Sequence, residues 1–122
     1  MTRQQVFDYS TKQFNNSPDY PWNDENAVLR HSDNKKWYAV LLRISRSKLG
    51  LTGNDIIDVL NLKCDPMLIG SLLSQDGFHP AYHMNKDKWI SIRLDGSVSE
   101  EQIQNLIGLS YDLTGTKRRR AK

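Results

Sequence analysis

The sequence predicts an α+β fold of two layers, in which helices cover one side of an antiparallel sheet in the order α-β3-α-β2-α. Helix start signals occur at three places, around Thr2, Asp65 and Ser99. The segments between them contain short apolar or alternating runs bounded by turn residues, as strands do. A chain of 122 residues fits one domain around a single core. We therefore expect one α+β domain.

The first helix is predicted over about residues 2–15. Thr2, with Gln5 three residues later, matches a capping box, in which each side chain accepts a hydrogen bond from a free backbone N–H group. The residues that share one helical face after this start are Val6, Phe7, Ser10 and Phe14.

Two antiparallel strands are predicted at 27–30 and 37–42, joined by a hairpin loop at 31–35. The second strand is apolar on both faces near its middle, which is typical of an interior strand in a sheet that helices partly cover. His31 lies in the hairpin loop and is interpreted as a solvated residue.

The segment 56–62 suits either a helix or a strand, and the residues after it favour a strand. Asp65 is a typical N-cap and Pro66 suits the first position of a helix, so a helix directly before them would leave no room to turn. The second helix is predicted over 66–74, with Gly77 placed to end it in a left-handed conformation.

The alternation at 89–94 predicts the last strand, and residues 78–84, which contain Pro80, are also expected to be extended. One face of the 89–94 strand points to the core and carries Ile90, Ile92 and Leu94. The opposite face carries Trp89, Ser91 and Arg93. In a two-layer fold this second face is expected to be open to solvent or to a partner.

The third helix is predicted to begin after Ser99, which forms another capping-box pattern with Gln102, and to end before Gly115. Its buried stripe is predicted to consist of Ile103, Leu106, Ile107 and Ser110.

The formal charge of +3 is distributed unevenly along the chain. Residues 117–122 contain five basic side chains and no acid, so the rest of the chain has 12 basic and 14 acidic residues. Between positions 30 and 48, the only acid is Asp33, and the basic residues are Arg30, Lys35, Lys36, Arg43, Arg46 and Lys48. We place the domain at 1–115 and expect the basic tail at 116–122 to be flexible.

No apolar signal core is found near the N-terminus, and no apolar run approaches the roughly 18 residues that a bilayer requires. The single cysteine, Cys64, cannot form an internal disulfide, which is typical of a reducing compartment. We expect a cytoplasmic protein that does not bind membranes.

Two groups of basic residues are candidates for contacts with nucleic-acid phosphates. Asn85 or Trp89 would then meet a base edge or stack on a base. The alternative interpretation is a solvated surface without a ligand. The first group, around the hairpin, contains Lys35, Lys36, Arg43, Arg46 and Lys48, and the second contains Lys86, Lys88 and Arg93 beside Trp89.

Catalytic and metal sites are less well supported by the pattern. His79 and His83 would converge on a metal in a helix, but Pro80 favours extended backbone, which separates them by roughly 13 Å. Cys64 could act as a nucleophile with His83 as base and Asn85 as orienting group, yet a lone cysteine is usually a small core residue. We predict no catalytic residue, no metal and no cofactor, and we expect that the protein is not an enzyme.

Four motifs resemble the MmcQ/YjbR-like family of small bacterial proteins, in the right order and over nearly the whole chain. They are Asn-Leu-Lys-Cys-Asp-Pro at 61–66, Pro-Ala-Tyr-His-Met-Asn-Lys at 80–86 with Trp89, Leu-Asp-Gly-Ser at 94–97, and Ser-Tyr-Asp-Leu at 110–113.

This resemblance implies a fold similar to type III secretion chaperones, which is described for the family as a double-wing DNA-binding arrangement. The hairpin that bears Lys35 and Lys36 would be a wing. The contact residues implied by the resemblance are Lys63, His83, Asn85, Lys86 and Trp89.

Two hypotheses on function remain open. The leading one is a DNA-binding, transcription-associated protein that holds phosphates through its basic loops. Its recognition surface would be the open sheet face or the Tyr82–Trp89 segment. The second is a protein-interaction module that binds a protein partner or forms a homodimer through the sheet face around Trp89. An enzyme centred on Cys64 and His83 would require these two side chains to converge.

Overall fold

The structure, a computed structural model, describes residues 1–116 and has the predicted α+β order. Its five strands form one antiparallel sheet in the order β1-β2-β3-β5-β4. The elements are α1 Arg3–Phe14, β1 Ala27–Arg30, β2 Trp37–Ser45, a 3-10 turn Arg46–Leu49, β3 Ile56–Lys63, α2 Pro66–Leu73, β4 Phe78–Pro80, β5 Trp89–Arg93 and α3 Glu100–Thr114.

The helix starts are confirmed at the level of individual caps. Thr2 forms the complete capping box with Gln5, Asp65 accepts a hydrogen bond from the backbone of Met67, and Ser99 accepts one from Gln102. Each cap satisfies backbone donors that the first helical turn leaves free.

Gly77 has a different role from the one predicted. Helix α2 ends earlier, with Ser74 in a right-handed conformation as its C-cap. Gly77 does adopt a left-handed φ of 94°, but in the turn that enters β4. A Cβ atom there would lie 2.5 Å from both Ser97 Oγ and Val98 Cγ2, so close approach of the next loop excludes a side chain.

The sheet carries apolar residues on both faces. All three helices pack on one face, where Leu41, Leu60 and Ile92 are fully buried. We call this the helix face. A smaller cluster lies on the opposite face, called here the loop face, and its buried members are Val28, Val40, Leu42 and Val59. The prediction that β2 is an interior strand with two apolar faces is therefore confirmed.

The expectation that the second sheet face is open at β5 is wrong. Ser91 is fully buried, and only 13% of the Arg93 side chain is exposed. The chain after β4 folds back over this face instead of continuing as an extended segment to residue 84. Asn61 Nδ2 donates to the Tyr82 carbonyl (2.9 Å) and Tyr82 N–H donates to Ser91 Oγ (2.9 Å), so the loop is tied to β3 and β5.

The interpretation of His31 as a solvated loop residue is also wrong. Its side chain is buried, because the end of α3 packs against the β1–β2 hairpin. His31 Nε2 lies 2.9 Å from Thr114 Oγ1, and the imidazole centroid lies 4.0 Å from that of Tyr111. Burial lowers the pKa of His31 below its ordinary value.

The flexible tail was predicted at 116–122, of which residues 117–122 lie outside the described part of the chain. Thr116 is described, and its hydroxyl donates to Asp33 Oδ2 (2.8 Å). In residues 1–116, none of the helices has the length and apolar character needed to cross a bilayer.

Candidate functional site

The strand register gathers several predicted contact residues at one end of the sheet. Arg30 pairs with Trp37, and Lys63 pairs with Trp89, so β1 and β3 finish where β2 and β5 begin. The β1–β2 hairpin loop and the loop before β5 therefore extend from this same end. The lysines at this end, called here the lysine end, are Lys35, Lys36, Lys63, Lys86 and Lys88.

Four of these lysines are exposed: Lys35, Lys36, Lys86 and Lys88. Every ion pair within residues 1–116 involves an arginine, so none of these lysines is neutralised by an acid at 4 Å or less there. The acids nearby include Asp33, which accepts a hydrogen bond from Thr116, and Asp65, which caps α2. The lysine ammonium groups are thus available to an anion from solvent.

Two of the three arginines predicted to join this set, Arg43 and Arg93, lie at the other end of the sheet. The third, Arg46, lies with Lys48 in the 3-10 turn that follows β2. Arg43 pairs across the strands with Asp58, and Arg93 pairs with Val59. Arg43 and Arg93 each also lie against two carboxylates, which balance their charge. The distances are Arg43 Nη1–Glu25 3.0 Å, Arg43 Nε–Asp58 3.1 Å, Arg93 Nη2–Asp76 2.6 Å and Arg93 Nη1–Asp95 3.3 Å.

Asn85 organises the loop that carries two of the lysines. Its side-chain oxygen accepts from Asp87 N–H (2.8 Å), and its carbonyl accepts from the N–H groups of Lys88 (3.1 Å) and Trp89 (2.9 Å). Trp89 is half-buried beside Lys63. In this conformation the Asn85 side-chain oxygen is engaged in shaping the turn.

The loop face contains a cavity of about 490 Å³ that the sequence did not predict. Of its lining, the segment singled out from the sequence as a recognition surface contributes Tyr82, His83 and Met84. Val40, Leu42 and Asn61 belong to the strands beneath it. Its lining residues are Trp22, Asp24, Asn26, Trp37, Val40, Leu42, Asn61, Tyr82, His83 and Met84.

Two pairs of aromatic rings line this cavity, called here the aromatic cavity. Trp22 and Trp37 meet edge to face with centroids 5.5 Å apart. The rings of Tyr82 and His83 lie 4.0 Å apart on the covering loop. The turn-rich sequence around Trp22 was the available signal, but nothing local indicates that it meets Trp37.

Hydrogen bonds hold the polar groups of the cavity in place. Asp24 Oδ1 accepts from the backbone N–H of Asn26 (2.8 Å), and Asn26 Oδ1 accepts from the backbone N–H of Arg43 (2.8 Å). Asn61 is anchored by Tyr82 and by the Ser91 hydroxyl. The cavity therefore combines a mostly apolar surface with a few oriented polar groups, as small-molecule sites do.

His83 is held in a left-handed backbone conformation, with φ of 60°. Non-glycine residues rarely adopt this conformation, and it recurs at binding and catalytic sites, where surrounding contacts maintain it. The residue before it, Tyr82, packs against the apolar cluster of the loop face.

Cys64 and His83 are not brought together. Cys64 is buried on the helix face, where burial raises the pKa of its thiol, whereas His83 lines the cavity on the loop face. Within residues 1–116, no group of three or more His, Cys, Asp or Glu side chains could hold a metal ion.

The chain is similar in sequence to two curated bacterial proteins. The Bacillus subtilis uncharacterized protein YyaQ is 43% identical over 116 residues, which cover 93% of this chain and 98% of YyaQ. The Escherichia coli O157:H7 uncharacterized protein YbdF is 40% identical over 60 residues, about half of each chain.

Solved structures share the fold. A crystal structure of a Pseudomonas syringae protein has a TM-score of 0.92 at 46% identity and covers 94% of this chain and 100% of its own. A Deinococcus radiodurans protein with a DUF419 domain has a TM-score of 0.74 at 24% identity, over 98% of this chain and 85% of its own, and shows the fold alone. The YjbR family model matches residues 14–113. With the predicted motifs inside that match, the chain belongs to the YjbR family.

Proposed function

We propose that the protein binds DNA through the lysine end of its sheet. The observation that carries this proposal is the separation of the basic residues. The lysines of two loops lie at one end without an ion pair in residues 1–116, whereas Arg43 and Arg93 are paired with acids at the other. Lysines of this kind neutralise phosphates and release bound counterions, which favours association with DNA.

The sequence after residue 116 adds to this charge. Thr116 Oγ1 donates to Asp33 Oδ2 (2.8 Å), so the described chain ends beside the β1–β2 hairpin loop. The next six residues include Lys117, three arginines and Lys122. A basic segment attached at this point supports binding that depends on phosphates more than on base sequence.

The test is fluorescence anisotropy with a labelled DNA duplex at several salt concentrations. Lys86→Ala/Lys88→Ala should weaken binding several-fold and reduce the slope of log K against log salt by about 1 for each phosphate that the variant no longer neutralises. The matched control is Lys12→Ala/Lys48→Ala, which removes the same charge from exposed lysines on α1 and the 3-10 turn.

The control should lose much less affinity than the lysine-end variant. Equal losses would mean that the total charge matters and not its position. A wild-type protein that binds no duplex at low salt would exclude the proposal.

Protein interaction is the second candidate, and the structure favours a different surface from the one around Trp89. Exposed apolar side chains lie on α2 and α3. On α2, Met67 is 88% exposed and Leu68 is also exposed, and on α3 Leu109 and Leu113 are exposed. The three leucines line a shallow cleft of about 120 Å³ between α2 and α3. Exposed apolar patches commonly mark interaction sites.

This candidate predicts a dimer or a complex that depends on the helices. Sedimentation equilibrium should give a mass above one chain for the wild type, and Met67→Ser/Leu109→Ser should return it to the monomer mass. A monomeric wild type at high concentration would contradict self-association through this cleft.

A further inference from the structure

We propose that the aromatic cavity binds the unpaired base of a nucleotide, with its phosphate directed toward the lysine end. This inference rests on the proposed nucleic-acid function and assigns it a second, distinct site. The shared chemistry is a flat heteroaromatic ring joined to a phosphate. Its source is either a free nucleotide or an unpaired nucleotide within a DNA strand.

The shape and walls of the cavity suit such a ring. Its volume of about 490 Å³ lies within the range of small-molecule sites. Trp22 is 45% exposed although it lies beside Trp37, so part of its ring surface is not covered by protein. Bases stack on such aromatic side chains whatever their sequence, because every base has a π face.

Lysines of the lysine end are close in sequence to two aromatic residues of the cavity, Trp37 and His83. Lys35 and Lys36 directly precede Trp37 at the start of β2. On the other side, Lys86 follows His83 by three residues. Lysines of two separate loops are therefore close in sequence to residues that line the cavity, and we expect an attached phosphate to be directed toward them.

One polar group gives a preference among bases. A carboxylate accepts about four hydrogen bonds and donates none. Asp24 uses two of these with the backbone and side-chain nitrogens of Asn26, at 2.8 and 3.4 Å. The remaining acceptor capacity fits guanine, which presents adjacent N–H donors on its pairing edge, better than thymine, which presents one.

The contrast between two exposed aromatic side chains tests the site. Trp22 lines the cavity, whereas Tyr20, which is 47% exposed and two residues away, does not. Trp22→Ala should weaken binding of a labelled single-stranded oligonucleotide by ~10-fold or more, as removal of one stacking partner does. Tyr20→Ala should leave this affinity unchanged, and duplex binding should change in neither variant.

Titrations with GMP and TMP separate the two sources, with tryptophan fluorescence as the readout. Quenching by GMP but not by single-stranded DNA supports a free nucleotide as the ligand. Quenching by single-stranded DNA but not by GMP supports a nucleotide within a strand. Asp24→Asn should reduce the preference for GMP, or for a G-rich over a T-rich single strand, by several-fold, because the amide replaces an acceptor oxygen with a donor group.

The outcomes distinguish this inference from the proposed function. Duplex binding that depends on Lys86 and Lys88, with no effect of Trp22→Ala on single strands, would retain the DNA proposal and overturn the base site. If the protein binds a mononucleotide, loses this binding in Trp22→Ala and binds no duplex, the base site is retained and the DNA proposal is overturned. No binding of any of these probes would overturn both.

Discussion

The two faces of the sheet are closed in different ways. On the helix face, three amphipathic helices bury a continuous apolar core, and residues such as Leu60 and Ile107 are fully inaccessible. On the loop face, a four-residue apolar cluster is covered by irregular segments that hydrogen bonds to Asn61 and Ser91 hold down. These segments leave a cavity of about 490 Å³ over the loop face.

This difference indicates a division of roles. Continuous helix packing supplies most of the stability because it removes the most apolar area from water. A face closed by loops can keep exposed aromatic rings and oriented polar groups without loss of the fold. Substitutions matched between the two faces should therefore have unequal effects on stability.

The largest expected effect comes from shortening a leucine on the helix face. Leu60→Ala should lower the free energy of unfolding by about 4 kcal/mol, because the surrounding core cannot collapse into the space. Leu42→Ala removes the same atoms from the loop face, beside an existing cavity, and should cost about 2 kcal/mol. Urea denaturation of both variants measures the difference, and equal costs would contradict the proposed division.

A smaller and more local effect is expected at Asn61. Asn61→Ala leaves the Tyr82 carbonyl without its donor and should cost about 2 kcal/mol. Amide hydrogen exchange should accelerate in residues 81–88 and remain unchanged in α3. The exposed Asn54 provides the control, and Asn54→Ala should alter neither measurement. Uniformly faster exchange through the whole chain would show that Asn61 supports the global fold and not the loop.

The parts of the fold that the sequence predicts are those encoded locally. The capping box of Thr2 and Gln5 and the strand predicted at 89–94 depend on neighbours within a few residues, and both are confirmed. The open face that the alternation predicted for this strand is not, because a distant loop covers it. The burial of His31 depends on Thr114, 83 positions later, and so left no local signal.

The candidate site shows the same limit. Lysines could be named as candidate contact residues by type, but only the strand register separates Lys63, at the lysine end, from Arg43 at the other. The aromatic cavity needs Trp22, Trp37 and Tyr82 from three different segments, and no single segment indicates that they meet.

The smallest effect should appear as a dependence of stability on pH. Burial lowers the pKa of His31. A hydrogen bond with the backbone of Tyr111 and the charges of Asp33 and Asp112 oppose this shift, and the charge of Lys36 reinforces it. Between this lowered pKa and the ordinary value of 6.5, the unfolded chain binds a proton that the folded chain does not. The contribution of neutral His31 to the free energy of unfolding should therefore be fully present above about pH 6.5. It should decrease as the pH falls from 6.5 toward the pKa of His31 in the folded protein.

Denaturant unfolding between pH 5 and pH 8 measures this slope, and His31→Gln should reduce it. His79 contributes in the same direction, because burial and Arg93 lower its pKa, so part of the slope should remain until His79→Gln is added. Asp33 and Asp95, whose pKa values lie below the ordinary 3.8, lose their contribution only at more acidic pH and do not interfere. A slope that is unchanged in the double variant would show that neither the His31 nor the His79 imidazole controls the stability at acidic pH. The folded protein would then tolerate protonated imidazoles at both positions.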